Sequence, residues 1–321
     1  MIASKSPWKV AQVALAAGTE AFNDYSHPCS PKKFTQPQLF ACLVLKEFEK
    51  KDYRGIRQLL IDCSELAKVI GLESVPHYTT LQKASRRLLR QDRVRVVLEE
   101  TVRRIRRWRR NVPYAAIDST GFDAHHASRY FIWRRDRQKQ DEKRPQKRHS
   151  YRHYGKLMTV VCCATHAILA AVASAGPTPD VAELDRALSQ LPRSQTLLHL
   201  VADAGFDSAH NHRLLREEHG IRSTIPAGAG RPTDQPPTDR YRRLMRRRFN
   251  VKAYRHRAQA ETVNSMLKRN LGSALRARSH WGRCRDMYLR VLTHNVAIAL
   301  LRVFYRAGRS PFRDFGKGMR E

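Results

Sequence analysis

The sequence predicts a mixed α/β protein with an all-α N-terminal region. Three observations predict it. Residues 36–110 place apolar side chains three and four apart, the spacing of helices that bury one face. After Asn111-Val112-Pro113 the texture changes, and short apolar runs alternate with helical patterns. Two of those runs, "YAAIDST" and "TLLHLVAD", end on single acids, Asp118 and Asp203.

The elements follow in order. The opening "MIASKSPWKVAQVALAAG" has some look of a signal peptide, but Gln12 breaks its apolar run, so it reads as an amphipathic helix. "QPQLFACLVLKEFEKK" is amphipathic; "SELAKVIGL" starts on a capping Ser64 with Leu66 and Ala67 inside; "TTLQKASRRLLRQ" follows the break at Pro76. In 92–110, Val94, Leu98, Val102, Ile105 and Trp108 mark one buried face, and Arg93, Arg95, Arg103, Arg104, Arg106, Arg107, Arg109 and Arg110 mark the other. The pair 64–71 and 79–90 could be a helix-turn-helix with a long turn or part of a plain helical bundle; both readings stay open.

"LMTVVCCATHAILAAVASAG", 157–176, has 20 residues without a charged side chain, long enough for a membrane span. Thr165-His166 at its centre and β-branched residues in its first half favour two buried strands and a tight turn. Before it, 134–156 carries ten Lys or Arg against three acids and reads as a basic surface loop. After it, Asp180 and Glu183 suit a capping pair for "VAELDRALSQL", "SAHNHRLLREEHG" is a helix closed by Gly220, and "RSTIP" is a last short strand. Residues 227–253 read as a basic linker or hairpin, 253–270 as a helix, and 284–306 as a long C-terminal helix.

The charge names a class of partner. Against 29 Asp and Glu stand 61 Lys and Arg, a net of +32 in 321 residues. Such self-repulsion calls for a polyanion; nucleic acid leads, and an anionic membrane is the weaker alternative. A hydrophobic share of 41% excludes wholesale disorder. The six Cys contain no C-x-x-C pair, which argues against a disulfide framework or zinc knuckle and for a reducing compartment. His125, His126 and His166 lack metal-ligand spacing with any Cys.

Acids at the ends of buried strands face the crevice where open α/β sheets bind ligands. Asp118 and Asp203 fit that position, although each could instead start a turn before Gly121 or Gly205. Asp123 and Asp207 are nearby competitors, Asp207 better suited to capping the helix that starts at Ser208. Gathered carboxylates repel unless a hard cation intervenes, and oxygen-only donors select Mg²⁺ or Mn²⁺. Two such ions about 3.5–4 Å apart can drive in-line phosphodiester displacement.

Glu261 is the third acid. At about 100° per residue, Tyr254, Arg257, Glu261 and Lys268 fall within roughly 60° of one another, with Ala260, Val263, Leu267 and Leu271 opposite. A surface ion pair accounts for Glu261 with Arg257, but Lys268 lies almost two turns away.

These residues meet the pattern Y-x2-R-x3-E-x6-K without a gap, and the chain thereby resembles the Y-R-E-K signature group of bacterial insertion-sequence DDE transposases. "AIDSTGF", "HASRYFIWR" at 126–134 and "VADAGFDS" look like the blocks around its first two acids; "VPHYTTLQKASRRL" and "VLTHNVAIAL" are also similar. The resemblance implies a ribonuclease H-like mixed sheet flanked by helices, with Asp118, Asp203 and Glu261 as catalytic ligands of two Mg²⁺, Mn²⁺ substituting. It implies Tyr254, Arg257 and Lys268, with Arg255 beside them, as contacts to DNA near the cleaved end. The expected partners are the element's inverted repeats and target DNA, with a homodimer in the synaptic complex, no membrane, and a cytoplasmic, nucleoid-associated location.

The expected division is a helical DNA-binding region at 1–112, a catalytic domain at 113–275 and a C-terminal segment at 276–321 that completes the core. The 57 residues between Asp203 and Glu261 leave little room for the large β insertion of some relatives. A silent DNA-binding descendant and a ribonuclease H-like nuclease or resolvase are the alternatives.

Overall fold

Period-two alternation along two long strands builds the centre of the molecule. The computed structural model describes residues 5–106, 110–124, 154–228 and 237–306. Six helices come first: α1 (Pro7–Ala21), α2 (Gln36–Phe48), α3 (Tyr53–Asp62), α4 (Ser64–Val69), α5 (Tyr78–Leu88) and α6 (Gln91–Arg106). Capping chemistry explains several starts. The Ser6, Thr35 and Asp52 side chains accept N–H bonds at the entries to α1, α2 and α3, and Thr35 with Gln38 forms a reciprocal box. Ser64 departs from expectation: it is already the first residue of α4, and the cap position falls to Cys63, which makes no side-chain bond.

The α/β part follows: β1 (Asn111–Val112), β2 (Ala115–Ala124), β3 (Tyr154–Cys162), β4 (Ile168–Gly176), α7 (Leu184–Leu188), β5 (Thr196–Leu197), β6 (His199–Val201), α8 (Ala209–Arg213, continued by a π-turn to Glu218) and β7 (Arg222–Thr224). The last elements are α9 (Arg240–Arg247), α10 (Val251–Tyr254), a 3₁₀ turn at Arg255–Arg257, α11 (Ala258–Leu271), β8 (Ala274–Leu275) and α12 (His280–Arg306).

The main sheet runs β4-β3-β2-β6-β7, with β8 added to the far end of β2. Its first three strands are antiparallel, whereas β6 and β7 run parallel to β2. This mixed sheet between helical layers is the ribonuclease H-like arrangement. The uncharged run 157–176 forms β3 and β4, joined by a tight turn with His166 at positive φ. Among the described residues, no helix is long and apolar enough to cross a membrane.

Alternation gives the sheet two apolar faces. Ala116, Phe122, Leu157 and Val161 point to one side and join a core with α11, α12 and the N-terminal helices. Ala115, Ile117, Met158, Val160 and Cys162 point to the other and pack on α7 and α8. Each fully buried Leu or Ile contributes roughly 1.5–3 kcal/mol. The helix α12 links the layers: the buried Asn295 amide donates to the Ile168 carbonyl (2.8 Å) and Thr101 Oγ1 (3.1 Å), and its oxygen accepts from the Ile168 N–H (2.9 Å).

Several local expectations are corrected by tertiary polar contacts. Arg106, assigned to the solvent face, is buried and donates to Gln195 Oε1 (2.7 Å) and to the Asn111 carbonyl. Asp180 and Glu183 make no cap; they flank the buried Lys156 ammonium at 2.6 and 3.1 Å. Lys156 sits inside β3, so the basic loop ends before Tyr154; its part at 134–153 lies outside the described residues. The basic "linker" at 227–253 contains the helices α9 and α10, and its residues 229–236 lie outside the description.

Candidate active site

Strand register brings the first two acids side by side. In β2, Ala116 pairs with Val201 of the parallel β6. Two residues further on stand Asp118 and Asp203, on the same face by the period of two. The strand β2 does not end at Asp118 but continues to Ala124, so Asp118 lies mid-strand opposite Thr159. Asp203 stands two residues beyond the end of β6 with extended backbone, and its Oδ1 accepts the Ala204 N–H at 2.6 Å. Asp123 has the opposite parity and is exposed.

The helix α11 covers that face. Ala260, Val263, Leu267 and Leu271 are buried, as their spacing predicts, which turns Glu261 outward toward the acids. The turn before it matters equally. The expected continuous helix 253–270 is interrupted by the 3₁₀ turn Arg255–Arg257, which carries Arg257 over the strand ends. Arg257 Nη1 lies 2.7 Å from Glu261 Oε1 and 3.9 Å from Asp203 Oδ2. Burial works against its charge, yet Glu261, Tyr254, Asp203 and Asp118 together hold its pKa above the usual value.

Asp118 is the most enclosed of the three acids. Burial raises its pKa above the ordinary carboxylate value, Glu261 adds to the rise, and the Ser119 N–H, Asn264 and Arg257 oppose it. The Asn264 amide donates to Asp118 Oδ2 at 3.0 Å, and Thr159 Oγ1 donates to Asn264 Oδ1 at 3.4 Å. Sequence reasoning missed Asn264. Its signal was a single polar side chain within the apolar face of α11, next to Val263 and four residues after Ala260.

The other stripe residues spread along α10 and α11. Tyr254 packs edge-on to Phe249 (5.1 Å between rings) and lies under the Arg257 guanidinium at 5.9 Å. Lys268 Nζ stands 5.8 Å from the Phe122 ring centre, away from the acids. Arg255 is exposed.

Asp207 takes a role that sequence reasoning did not assign. Ser208 itself caps α8, and Asp207, fully buried, binds Arg242 of α9 at 2.8–3.1 Å. Burial alone would raise its pKa; the His212, Arg242 and Gly228 N–H contacts reverse this and hold it below the usual value. The six cysteines are free, and His125, His126 and the block 126–134 lie outside the described residues apart from the expectation stated for them.

Could these acids hold a metal? Among the described residues, no three His, Cys, Asp or Glu side chains are gathered tightly enough to hold an ion. The donor chemistry nonetheless fits: three oxygen-only groups from two strands and a helix surround one cation, the Arg257 guanidinium. A divalent ion there would polarise a phosphodiester and lower the pKa of attacking water.

The fold is α/β, with Asp118 on β2, Asp203 just beyond the parallel β6 and Glu261 on the covering helix α11. The chain belongs to the family described as "Transposase DDE domain", which it matches over residues 113–296, more than half its length. No curated protein and no solved structure matches it. Family membership makes the protein a DDE-type transposase, a metal-dependent phosphodiester-cleaving enzyme that acts on DNA.

Proposed function

We propose that this transposase belongs to the Y-R-E-K group, binds the terminal inverted repeats of an insertion sequence, and uses two Mg²⁺ ions, with Mn²⁺ as substitute. Asp118, Asp203 and Glu261 are the catalytic metal ligands in this reading. The observation that carries it is the convergence of all three on Arg257, with Asp118 and Asp203 each two residues beyond the paired Ala116 and Val201 of parallel β2 and β6.

The chain's own residues divide the work. Asp118 is oriented by the Asn264 amide, itself tied to Thr159. Arg257 neutralises Asp203 and Glu261 at rest; when DNA arrives its planar fork is suited to a phosphate near the cleaved bond. Tyr254 offers a ring to stack on a base or a hydroxyl to bond a phosphate, and Arg255 and Lys268 supply charge to the backbone. Asp118, Asp203 and Glu261 would hold the ions, which would activate the attacking oxygen and stabilise the leaving one. Water attack would break the phosphodiester and release the element's 3′-hydroxyl, and that hydroxyl would then join to a target phosphate, displacing the target strand's own 3′-hydroxyl.

A homodimer in the synaptic complex and a cytoplasmic, nucleoid-associated location complete the proposal, the latter supported by the net charge of +32. The test mixes purified protein, a labelled element end and Mg²⁺. Metal-dependent nicking followed by joined products supports the reading. Nicking that persists in Asp118→Ala refutes it, and cleavage without joining assigns the protein to the nucleases.

A further inference from the structure

A second electropositive feature lies away from the acids. A cleft of about 570 Å³ opens where α2, α3 and α5 meet the end of α11, β8 and the start of α12. Its walls carry Lys50, Lys51, Arg86, Arg276, Arg278 and Arg285, drawn from widely separated parts of the chain. The acids inside it are already engaged. Glu47 binds Lys46 and Arg290 (3.1 and 3.0 Å), Asp52 caps α3 through the Gly55 N–H (2.6 Å), and Asp286 accepts the Ala277 N–H (3.1 Å). Among the described residues, none of the six wall cations forms an ion pair. Of their side chains, only that of Arg276 makes a hydrogen bond, to the Lys50 carbonyl at 2.7 Å.

The backbone of the cleft is shaped with care. Lys50 holds positive φ (52°), a conformation that favours glycine, and Gly272 on the facing wall holds φ 100°. Arg290 fixes that wall by donating to the Gly272 and Ala274 carbonyls at 2.8 and 2.7 Å. The same guanidinium lies 5.0 Å from the Phe122 ring, while Lys268 lies 5.8 Å from it. Phe122 itself is buried in the core, so its ring backs this wall from inside the fold. Trp281, next to the lining residue Gly282, is 71% exposed and offers a face for stacking.

We propose that this cleft binds the sugar–phosphate backbone of DNA at a distance from the cleaved bond, as a second holding point on the same duplex. The inference rests on the proposed DNA end binding at the acids. Charge complementarity favours this occupant: unpaired cations gathered on the walls of one open cleft suit a string of phosphates.

The test compares wild type with the triple variant Lys51→Gln/Arg86→Gln/Arg278→Gln, all exposed positions, and checks folding by circular dichroism. Affinity for a long and a short mixed-sequence DNA duplex is measured over a range of salt. The proposal expects the log–log salt slope on the long duplex to flatten by about two to three units, near 0.9 per lost phosphate contact. On the short duplex, wild type and variant should bind alike. Equal slopes on the long duplex overturn the cleft while leaving the end-binding reading intact. Loss on both duplexes also overturns it, because the cations then act at the cleaved end. Absence of DNA binding by wild type defeats the parent reading itself.

Discussion

Two aspartates four residues apart, Asp203 and Asp207, both face an arginine, and they differ in every physical respect. Asp207 has no solvent exposure and meets the Arg242 guanidinium through both oxygens at 2.8–3.1 Å. Asp203 is 52% exposed and lies 3.9 Å from Arg257, too far for a hydrogen bond. A saturated, buried carboxylate has no capacity left for a ligand. A solvated, loosely paired one does, and it shares its arginine with Glu261. The comparison teaches that two Asp–Arg pairs can differ in kind: Asp207 is spent on structure, whereas Asp203 keeps its oxygens open to a ligand.

The largest expected effect breaks the comparison on its catalytic side. Under the proposed reading, Asp203→Asn, Asp118→Asn and Glu261→Gln should each lower DNA nicking by about 10³-fold or more, since an ion held there would supply several kcal/mol of transition-state stabilisation. Thermal melting should leave Asp203→Asn near wild type because its carboxylate is half exposed. Substantial nicking by the Asp203 variant would remove it from the site.

Next comes the structural side. Asp207→Ala leaves a partly solvated Arg242 without its carboxylate and should cost about 1–3 kcal/mol in a denaturation experiment. It should also release α9, read as faster amide exchange over Arg240–Arg247. Unchanged stability would mean that the pair does not anchor the helix.

A pH titration separates buried neutral groups from the exposed acids. Burial lowers the His294 pKa from 6.5 to about 4, and its ring bonds the His166 carbonyl at 2.9 Å. Between those values the unfolded chain binds the extra proton and the folded chain does not. Stability therefore rises with pH across the window: full above 6.5, and lost by up to about 3 kcal/mol as pH falls to 4. His199, lowered to about 4 chiefly by burial and then by Arg216 and Arg222, acts in the same direction. Denaturation midpoints that do not move over this window would contradict both assignments.

The smallest effect concerns support of the site. Asn264→Ala removes the donor to Asp118 Oδ2 and should cost about 1.5–3 kcal/mol of stability as a bond to a charged group. Nicking should fall while DNA affinity stays constant, because Asn264 is buried and does not face solvent. Equal losses of binding and nicking would indicate a disturbed helix instead.

What was legible in the sequence follows from local rules. The face of α11 could be read because Ala260, Val263, Leu267 and Leu271 repeat at the helical period, and 157–176 because Thr165-His166 at its centre and β-branched residues in its first half favour two strands. The position of Asp118 and Asp203 followed from apolar runs ending on acids, although β2 in fact continues beyond Asp118 through its pairing with β3. The rest depended on partners distant in sequence. The helix α9, "RYRRLMRR", has one buried residue, Met245, and so no apolar period; it is held by Asp207, 35 residues earlier. Lys156 looked like part of a basic loop because its partners Asp180 and Glu183 are brought in by folding. Asn264 was hidden in a face read only for its apolar members.

The most direct test of the central claim is divalent-ion binding by calorimetry without DNA, using Mn²⁺ on wild type, Asp203→Asn and Asp207→Asn under conditions where all three are folded. The account predicts binding by wild type and Asp207→Asn, with at least one site lost or strongly weakened in Asp203→Asn. Retained binding in Asp203→Asn together with loss in Asp207→Asn would contradict it.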